Sequence, residues 1–301
     1  MLISKPRYLL AFAGAVLTLH TACLNADETT SQWTDVTPMA VMDGRTRGAS
    51  WADFDKDGDP DLYLTQWAQP NSLYRNDGND IFTIVTTDAL TPPGEFYSGR
   101  SVWADIDNDG DLDLFVAQSR DSHLIRNDGL LGFTDITNGE PILNDGKISR
   151  AATWGDYDQD GFIDLYISTK GWSDHNRLLR NLGDGTFEQM TDVGPIANDG
   201  TGRGASFCDY DNDGDPDLYV SNGDSVDGTP HNESVRINSM YSNDGGTFIE
   251  NATPPLNSNR HTRGVSWGDY DNDGDLDLYL AAIFVKVGAC CYVDNSDTYI
   301  C

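Results

Sequence analysis

Five short stretches carry the same spacing of carboxylates: "DFDKDGDPD" at residues 53–61, "DIDNDGDLD" at 105–113, "DYDQDGFID" at 156–164, "DYDNDGDPD" at 209–217 and "DYDNDGDLD" at 269–277. Carboxylates this close repel by about 1 kcal/mol per pair at 4 Å in water, and by about 4 kcal/mol at an effective dielectric of 20. Unless a cation offsets that repulsion, such segments stay disordered. Oxygen donors on alternate residues, with a glycine for a sharp turn at the sixth position, suit a hard cation of calcium's size. In the first loop the candidate side-chain ligands are Asp53, Asp55, Asp57 and Asp61. The third loop has Phe162 at the seventh position, where the others have aspartate. A backbone carbonyl is therefore expected to serve there, which sets aside Asp59, Asp111, Asp215 and Asp275. Position twelve is Leu64, Val116, Ile167, Val220 and Leu280, where a helix-loop-helix calcium site needs glutamate, so that class is excluded. Magnesium, which demands tight octahedral geometry and keeps its waters, fits the pattern less well.

These loops recur at intervals of 52, 51, 53 and 60 residues, so an internal repeat sets the fold. An aromatic and a small or thiol residue precede each copy (Trp51-Ala52, Trp103-Ala104, Trp154-Gly155, Phe207-Cys208, Trp267-Gly268), and "LYL", "LFV", "LYI", "LYV" and "LYL" follow. Aromatic and branched residues on both sides of a polar loop describe two strands joined by it. A second hairpin follows in four copies, "NSLYRNDGNDIFTIVT", "SHLIRNDGLLGFTDIT", "NRLLRNLGDGTFEQMT" and "NSMYSNDGGTFIENAT", each with a turn between an apolar strand and one containing Phe. Repeated units of four short strands imply an all-β chain, a β-propeller whose blades cover one another's faces. The fifth unit lacks the second hairpin, and "WTDVT" at 33–37 matches "FTDIT" at 133–137. Either that N-terminal strand or the cysteine-bearing tail could complete the last blade, or further blades could lie outside this chain.

The pattern resembles the FG-GAP/VCBS repeat family, whose blades are similar to those of the integrin α-subunit propeller. The likeness covers roughly residues 33–285. It implies calcium ligands at the first-loop aspartates and at their counterparts. These are Asp105, Asp107, Asp109 and Asp113; Asp156, Asp158, Asp160, Asp164 and the carbonyl of Phe162; Asp209, Asp211, Asp213 and Asp217; and Asp269, Asp271, Asp273 and Asp277. About one calcium ion per repeat is expected, up to five. Family propellers are typically seven-bladed, which leaves ring closure open here.

The chain has 301 residues and a formal charge of −30, and about half of its 49 acidic residues sit in the five loops. That balance argues against nucleic acid as a partner. Lys5 and Arg7 precede an apolar run from Tyr8 to Leu19, the pattern of an export signal over residues 1–26. The run is too short to span a bilayer, which needs about 20 residues. Cleavage near Ala26, or lipid attachment at Cys23 in "LHTAC", would leave the protein secreted or at the cell surface. Cys290, Cys291 and Cys301 crowd the tail at 286–301, where a hairpin with Cys291 facing Cys301 is reasonable in an oxidising compartment. Cys208 is expected to be a small buried hydrophobe.

Arg47, Arg100, Arg150, Arg203 and Arg263 recur five or six residues before each loop. A repeated structural salt bridge is the expectation, and a common anion-binding surface the alternative. His123, His175, His231 and His261 share no spacing that would make a zinc site. The fourth repeat carries an insertion from Asn222, "NGDSVDGTPHNESVRINS", of a kind that maps to loops on one face. No nucleophile elbow, phosphate-binding glycine loop or zinc-protease helix is present. The function expected is therefore a calcium-binding scaffold for adhesion to an extracellular protein or polysaccharide. A carbohydrate-active enzyme or its non-catalytic propeller is the alternative, and a structural module of a larger polypeptide, suggested by the abrupt end at Cys301, is a third.

Overall fold

The computed structural model describes residues 45–90, 98–119, 121–137, 143, 146–170, 175–191, 193–197, 202–223, 238–251, 256, 262–282, 291–293 and 299–300. The predicted signal segment, the strand at 33–37 and most of the fourth-repeat insertion lie outside them.

Twenty strands form five antiparallel sheets of four. The first blade contains β1 (Thr46–Ala52), β2 (Asp61–Gln66), β3 (Ser72–Asn76) and β4 (Phe82–Val85). The second contains β5 (Ser98–Ala104), β6 (Asp113–Gln118), β7 (His123–Asn127) and β8 (Phe133–Asp135). The third contains β9 (Ile148–Gly155), β10 (Asp164–Lys170), β11 (Arg177–Asn181) and β12 (Phe187–Gln189). The fourth contains β13 (Gly202–Cys208), β14 (Asp217–Asn222), β15 (Ser239–Asp244) and β16 (Thr247–Asn251). The fifth contains β17 (Thr262–Gly268), β18 (Asp277–Ala282), β19 (Cys291–Val293) and β20 (Tyr299–Ile300). The tail therefore supplies the outer half of the fifth blade, one of the completions the sequence left open. Its backbone pairs Tyr292 with Ile300 and Val293 with Tyr299, while the turn between these strands and Cys301, on which the expected facing of Cys291 and Cys301 depends, lie outside the described residues.

The core lies between blades. Strands such as β2 and β14 are buried along their whole length because both of their faces are covered, whereas fourth strands such as β4 have no fully buried residue and expose Thr83 and Ile84. The tryptophan before a loop packs edge-on against the second-strand aromatic of the preceding blade. Trp103 lies 6.1 Å from Tyr63, Trp154 6.4 Å from Phe115 and Trp267 6.2 Å from Tyr219, between ring centroids. Edge-to-face pairs of this kind add about 0.5–1.5 kcal/mol beyond the area they bury. Trp103 also donates its indole N–H to Ser50 Oγ at 3.1 Å. First strands follow one another side by side in the order β1, β5, β9, β13 and β17. Cys208, expected to be buried, is a half-buried free thiol beside the fourth loop, and desolvation followed by the charges of Asp217, Asp209 and Asp211 pushes its pKa up.

Candidate metal centres

Each acidic loop connects the first and second strands of a blade, and all five share one backbone shape. The fourth residues (Lys56, Asn108, Gln159, Asn212, Asn272) have φ between 57° and 61°, and the glycines at position six between 88° and 97°. The second of these conformations is open to glycine at little cost, which is why Gly58 and its counterparts stand there. The first aspartate ties the loop from within. Asp53 accepts from the amides of Asp57 at 3.1 Å and Gly58 at 3.0 Å, and Asp105, Asp156, Asp209 and Asp269 repeat both bonds.

The ninth aspartate is the buried anchor. Asp164 is fully buried; its Oδ2 accepts from the Tyr157 amide at 3.0 Å and its Oδ1 from the Asn181 amide at 2.8 Å, tying the loop to the third strand. Asp61, Asp113 and Asp217 make the same two bonds with Phe54 and Asn76, Ile106 and Asn127, and Tyr210 and Asn243. Desolvation, opposed by those amides and helped by neighbouring aspartates, pushes Asp113 and Asp164 up to about 7 and Asp61 and Asp217 up to about 6. A cation beside them would hold them ionised.

Carboxylate oxygens within 4.8 Å of one another form one triplet per loop. The triplets are Asp53, Asp55 and Asp57; Asp105, Asp107 and Asp113; Asp156, Asp158 and Asp164; Asp209, Asp211 and Asp213; and Asp269, Asp271 and Asp273. Asp61, Asp109, Asp160, Asp217 and Asp277 lie in the same loops but outside these triplets. Two oxygens in the triplets, Oδ1 of Asp107 and Oδ1 of Asp158, are buried and accept no hydrogen bond. A buried acceptor without a donor costs about 1–3 kcal/mol, and an oxygen-seeking cation is the partner this donor set fits. In the third loop a guanidinium stands close by: Arg180 lies 2.7 Å from Asp158 Oδ2 and 2.9 Å from Asp160 Oδ2.

Position seven faces elsewhere. Asp111 lies against Gly129, Asp215 Oδ2 accepts from the Gly245 amide at 2.7 Å, and the Phe162 ring covers Gly183, leaving no room for a Cβ there. Each of these glycines belongs to the turn of the second hairpin, so the aspartate at position seven and its Phe162 replacement do one packing job.

Residues 53–116, 105–167, 156–220 and 225–280 each match the FG-GAP-like repeat, together more than half of the sequence. The chain belongs to the FG-GAP-like repeat family. It is 25% identical to cartilage acidic protein 1 of Mus musculus over 176 residues, covering 55% of this chain and 27% of that protein. The human cartilage acidic protein 1 is 24% identical over 176 residues, with 55% and 26% covered. The chain spans about a quarter of the length of these relatives. Among solved structures, an Agrocybe aegerita lectin that recognises non-reducing terminal N-acetylglucosamine aligns with a TM-score of 0.49 at 16% identity, over 78% of this chain and 61% of the lectin. BBS1N, solved in complex with ARL6DN, aligns with a TM-score of 0.49 at 10% identity, over 85% and 67%.

These FG-GAP-like repeats are joined by a contact that the sequence reading missed. The fourth residue of one loop reaches the sixth or seventh of the next. Lys56 Nζ lies 2.6 Å from Asp111 Oδ1, Asn108 donates to the Gly161 carbonyl at 3.1 Å, Gln159 donates to the Gly214 carbonyl at 2.9 Å and to Asp215, and Asn212 donates to Asp275 Oδ1 at 3.0 Å. A second set comes from the Asn that closes the third strand, whose Nδ2 donates to the preceding blade's loop: Asn127 to the Phe54 carbonyl at 2.9 Å, Asn181 to Ile106 at 2.8 Å and Asn243 to Tyr157 at 2.7 Å. Only the recurrence of Asn in "RND", "RNL" and "SND" could have hinted at this. His123, which showed no zinc spacing, pairs with Asp135 at 3.0 Å.

Proposed function

We propose that the protein is an exported β-propeller that carries calcium in its acidic loops and serves as a scaffold for binding an extracellular protein or glycan. Calcium acts structurally in this reading, neutralising clustered carboxylates where the loops of adjacent blades meet. The observation that carries it is the pair of orphaned oxygens on Asp107 and Asp158, each within an aspartate triplet. Family membership and the fivefold identity of the loop backbone support it. The ligands proposed are the first, third, fifth and ninth aspartates of each loop with the carbonyl at position seven. A site with a dissociation constant near 10⁻⁵ M in millimolar calcium stabilises the fold by about 2.7 kcal/mol, so five such sites would dominate stability.

Among the described residues no helix is long and apolar enough to cross a membrane, and export rests on the predicted signal segment. The reading is tested by titrating calcium into metal-stripped protein by calorimetry, then passing the loaded form over immobilised glycans and surface proteins. Saturable calcium binding and capture of a partner without turnover support it. Absence of calcium heats would refute the metal assignment, and release of unsaturated or reducing sugar ends would make the protein an enzyme instead.

A further inference from the structure

The five recurring arginines meet in one place. In every blade the first strand carries a β-bulge, and the arginine is a residue left out of the pairing. Thr46 pairs with Gln66 and Gly48 with Thr65, passing over Arg47. Ser98 pairs with Gln118 and Ser101 with Val116, passing over Gly99 and Arg100. Ser149 pairs with Thr169 and Ala151 with Ser168, passing over Arg150. Arg203 and Arg263 are passed over in the same way. A bulge re-aims the side chain it carries. Five bulges in register aim five guanidiniums into a cavity of ≈ 530 Å³ lined by Arg47, Arg100, Arg150, Arg203, Arg263 and Lys170. Small residues beside the arginines bring the strands together: a Cβ on Gly99 would lie 2.8 Å from the Arg150 carbonyl.

Among the described residues lining this cavity there is no carboxylate. One Arg100 nitrogen, Nη2, donates to the Arg263 carbonyl at 2.7 Å, and Arg47 stacks at 3.5 Å on the Trp67 ring. The Nε of Arg150 is buried and has no hydrogen-bond partner. Desolvation, then the charges of Arg203, Arg47 and Arg263, push Arg150 down to about 10. Desolvation lowers Arg100, and desolvation with the Arg263 charge lowers Arg47. All remain cations at neutral pH, held together at a cost in a chain whose net charge is −30. Arg47 stands six residues before Asp53 on an extended strand, which at about 3.3 Å per residue separates the lumen from the acidic loops by some 20 Å. The two charged regions therefore do not neutralise one another.

We propose that this lumen binds an oxyanion carrying two or more negative charges, borne as sulfate ester or carboxylate on a molecule no larger than a disaccharide. The planar forks of arginine match such groups bidentately, and a recess lined by one sign of charge focuses its field on an incoming anion. The volume falls within the roughly 300–1,000 Å³ of small-molecule sites. Like charges gathered around one recess cost stability, a cost that function commonly explains.

The test uses the full chain at saturating calcium and calorimetric titration with a trisulfated disaccharide, a digalacturonate and inorganic sulfate, with a neutral disaccharide as control. One anion site per chain is expected, with affinity falling as sodium chloride rises. The sulfated and carboxylated arms decide which oxyanion is preferred. Arg100→Gln with Arg150→Gln should weaken binding about tenfold or more per arginine removed, without lowering the melting temperature of the anion-free protein. Should that double variant fail to fold, Arg47→Gln and Arg263→Gln, whose side chains are exposed, carry the same expectation. No heat with any of the three anions, equal binding of the neutral sugar, or undiminished binding by the variants would overturn the proposal. Calcium stoichiometry measured on the same samples separates this outcome from the calcium reading, because the variants lie at the far end of the strands.

Discussion

Lys56 Nζ lies 2.6 Å from Asp111 Oδ1, so a residue of the first acidic loop is held by the second. Asn108, Gln159 and Asn212 continue the series to the third, fourth and fifth loops. Metal that stiffens one loop would thus restrain its neighbour. Asn212→Ala and Gln159→Ala should each cost about 1 kcal/mol, the net value of a hydrogen bond, which is about 2–4 °C in melting temperature for a domain of this size. Thermal melts in calcium check this, and unchanged melts would mean that the inter-loop bonds carry no stability.

Asp164→Asn is expected to be severe. The carboxylate accepts two backbone amides from a fully buried position, and an amide side chain would turn one of those acceptors into a donor facing an N–H. The mismatch should cost about 1–3 kcal/mol and remove one calcium site. Asp160→Asn, on an exposed part of the same loop, should affect calcium binding while costing less metal-free stability than Asp164→Asn, because it loses a partly exposed pair with Arg180 and no buried acceptor. Equal effects of the two in chelator would contradict the assignment of Asp164 as anchor.

Calcium should reverse the pH dependence of stability. Burial pushes Asp113 and Asp164 up to about 7 in the metal-free fold. A carboxyl whose pKa is higher in the folded than in the unfolded chain stabilises the fold in acid, and that contribution is lost as pH rises through the folded value. In excess chelator the protein should therefore melt higher near pH 5.5 than near pH 8. In saturating calcium the order should reverse, because binding requires the deprotonated form. Melting curves at the two pH values, with and without calcium, check this.

Arg180 acts as a resident cation in the third loop, touching both Asp158 and Asp160. Arg180→Gln should raise calcium affinity at that loop by removing a competing positive charge, and should lower stability in chelator. Site-resolved titration checks it, and weaker calcium binding by the variant would show that the guanidinium supports the site.

Much of this was legible in the sequence, for reasons that also mark where legibility stops. Each acidic loop places its carboxylates within a nine-residue span, so spacing alone located it, and the period of the repeat implied the blades. The link through position four was hidden because Lys56, Asn108, Gln159 and Asn212 share reach and a positive φ, not a residue type. The five arginines were visible as a recurrence, but their purpose was not. A bulge changes which way a side chain points, and only the arrangement of blades shows that no described acid shares the lumen. The tail's place in the fifth blade depended on a pairing between residues as distant as Leu278 and Val293, which local pattern does not encode.

The most direct measurement is the calcium content of folded protein dialysed to equilibrium in millimolar calcium, read together with its melting temperature before and after chelation. The account predicts about one ion per acidic loop and a sharp fall in melting temperature when they are removed. Protein that holds no calcium and melts identically in chelator would contradict it.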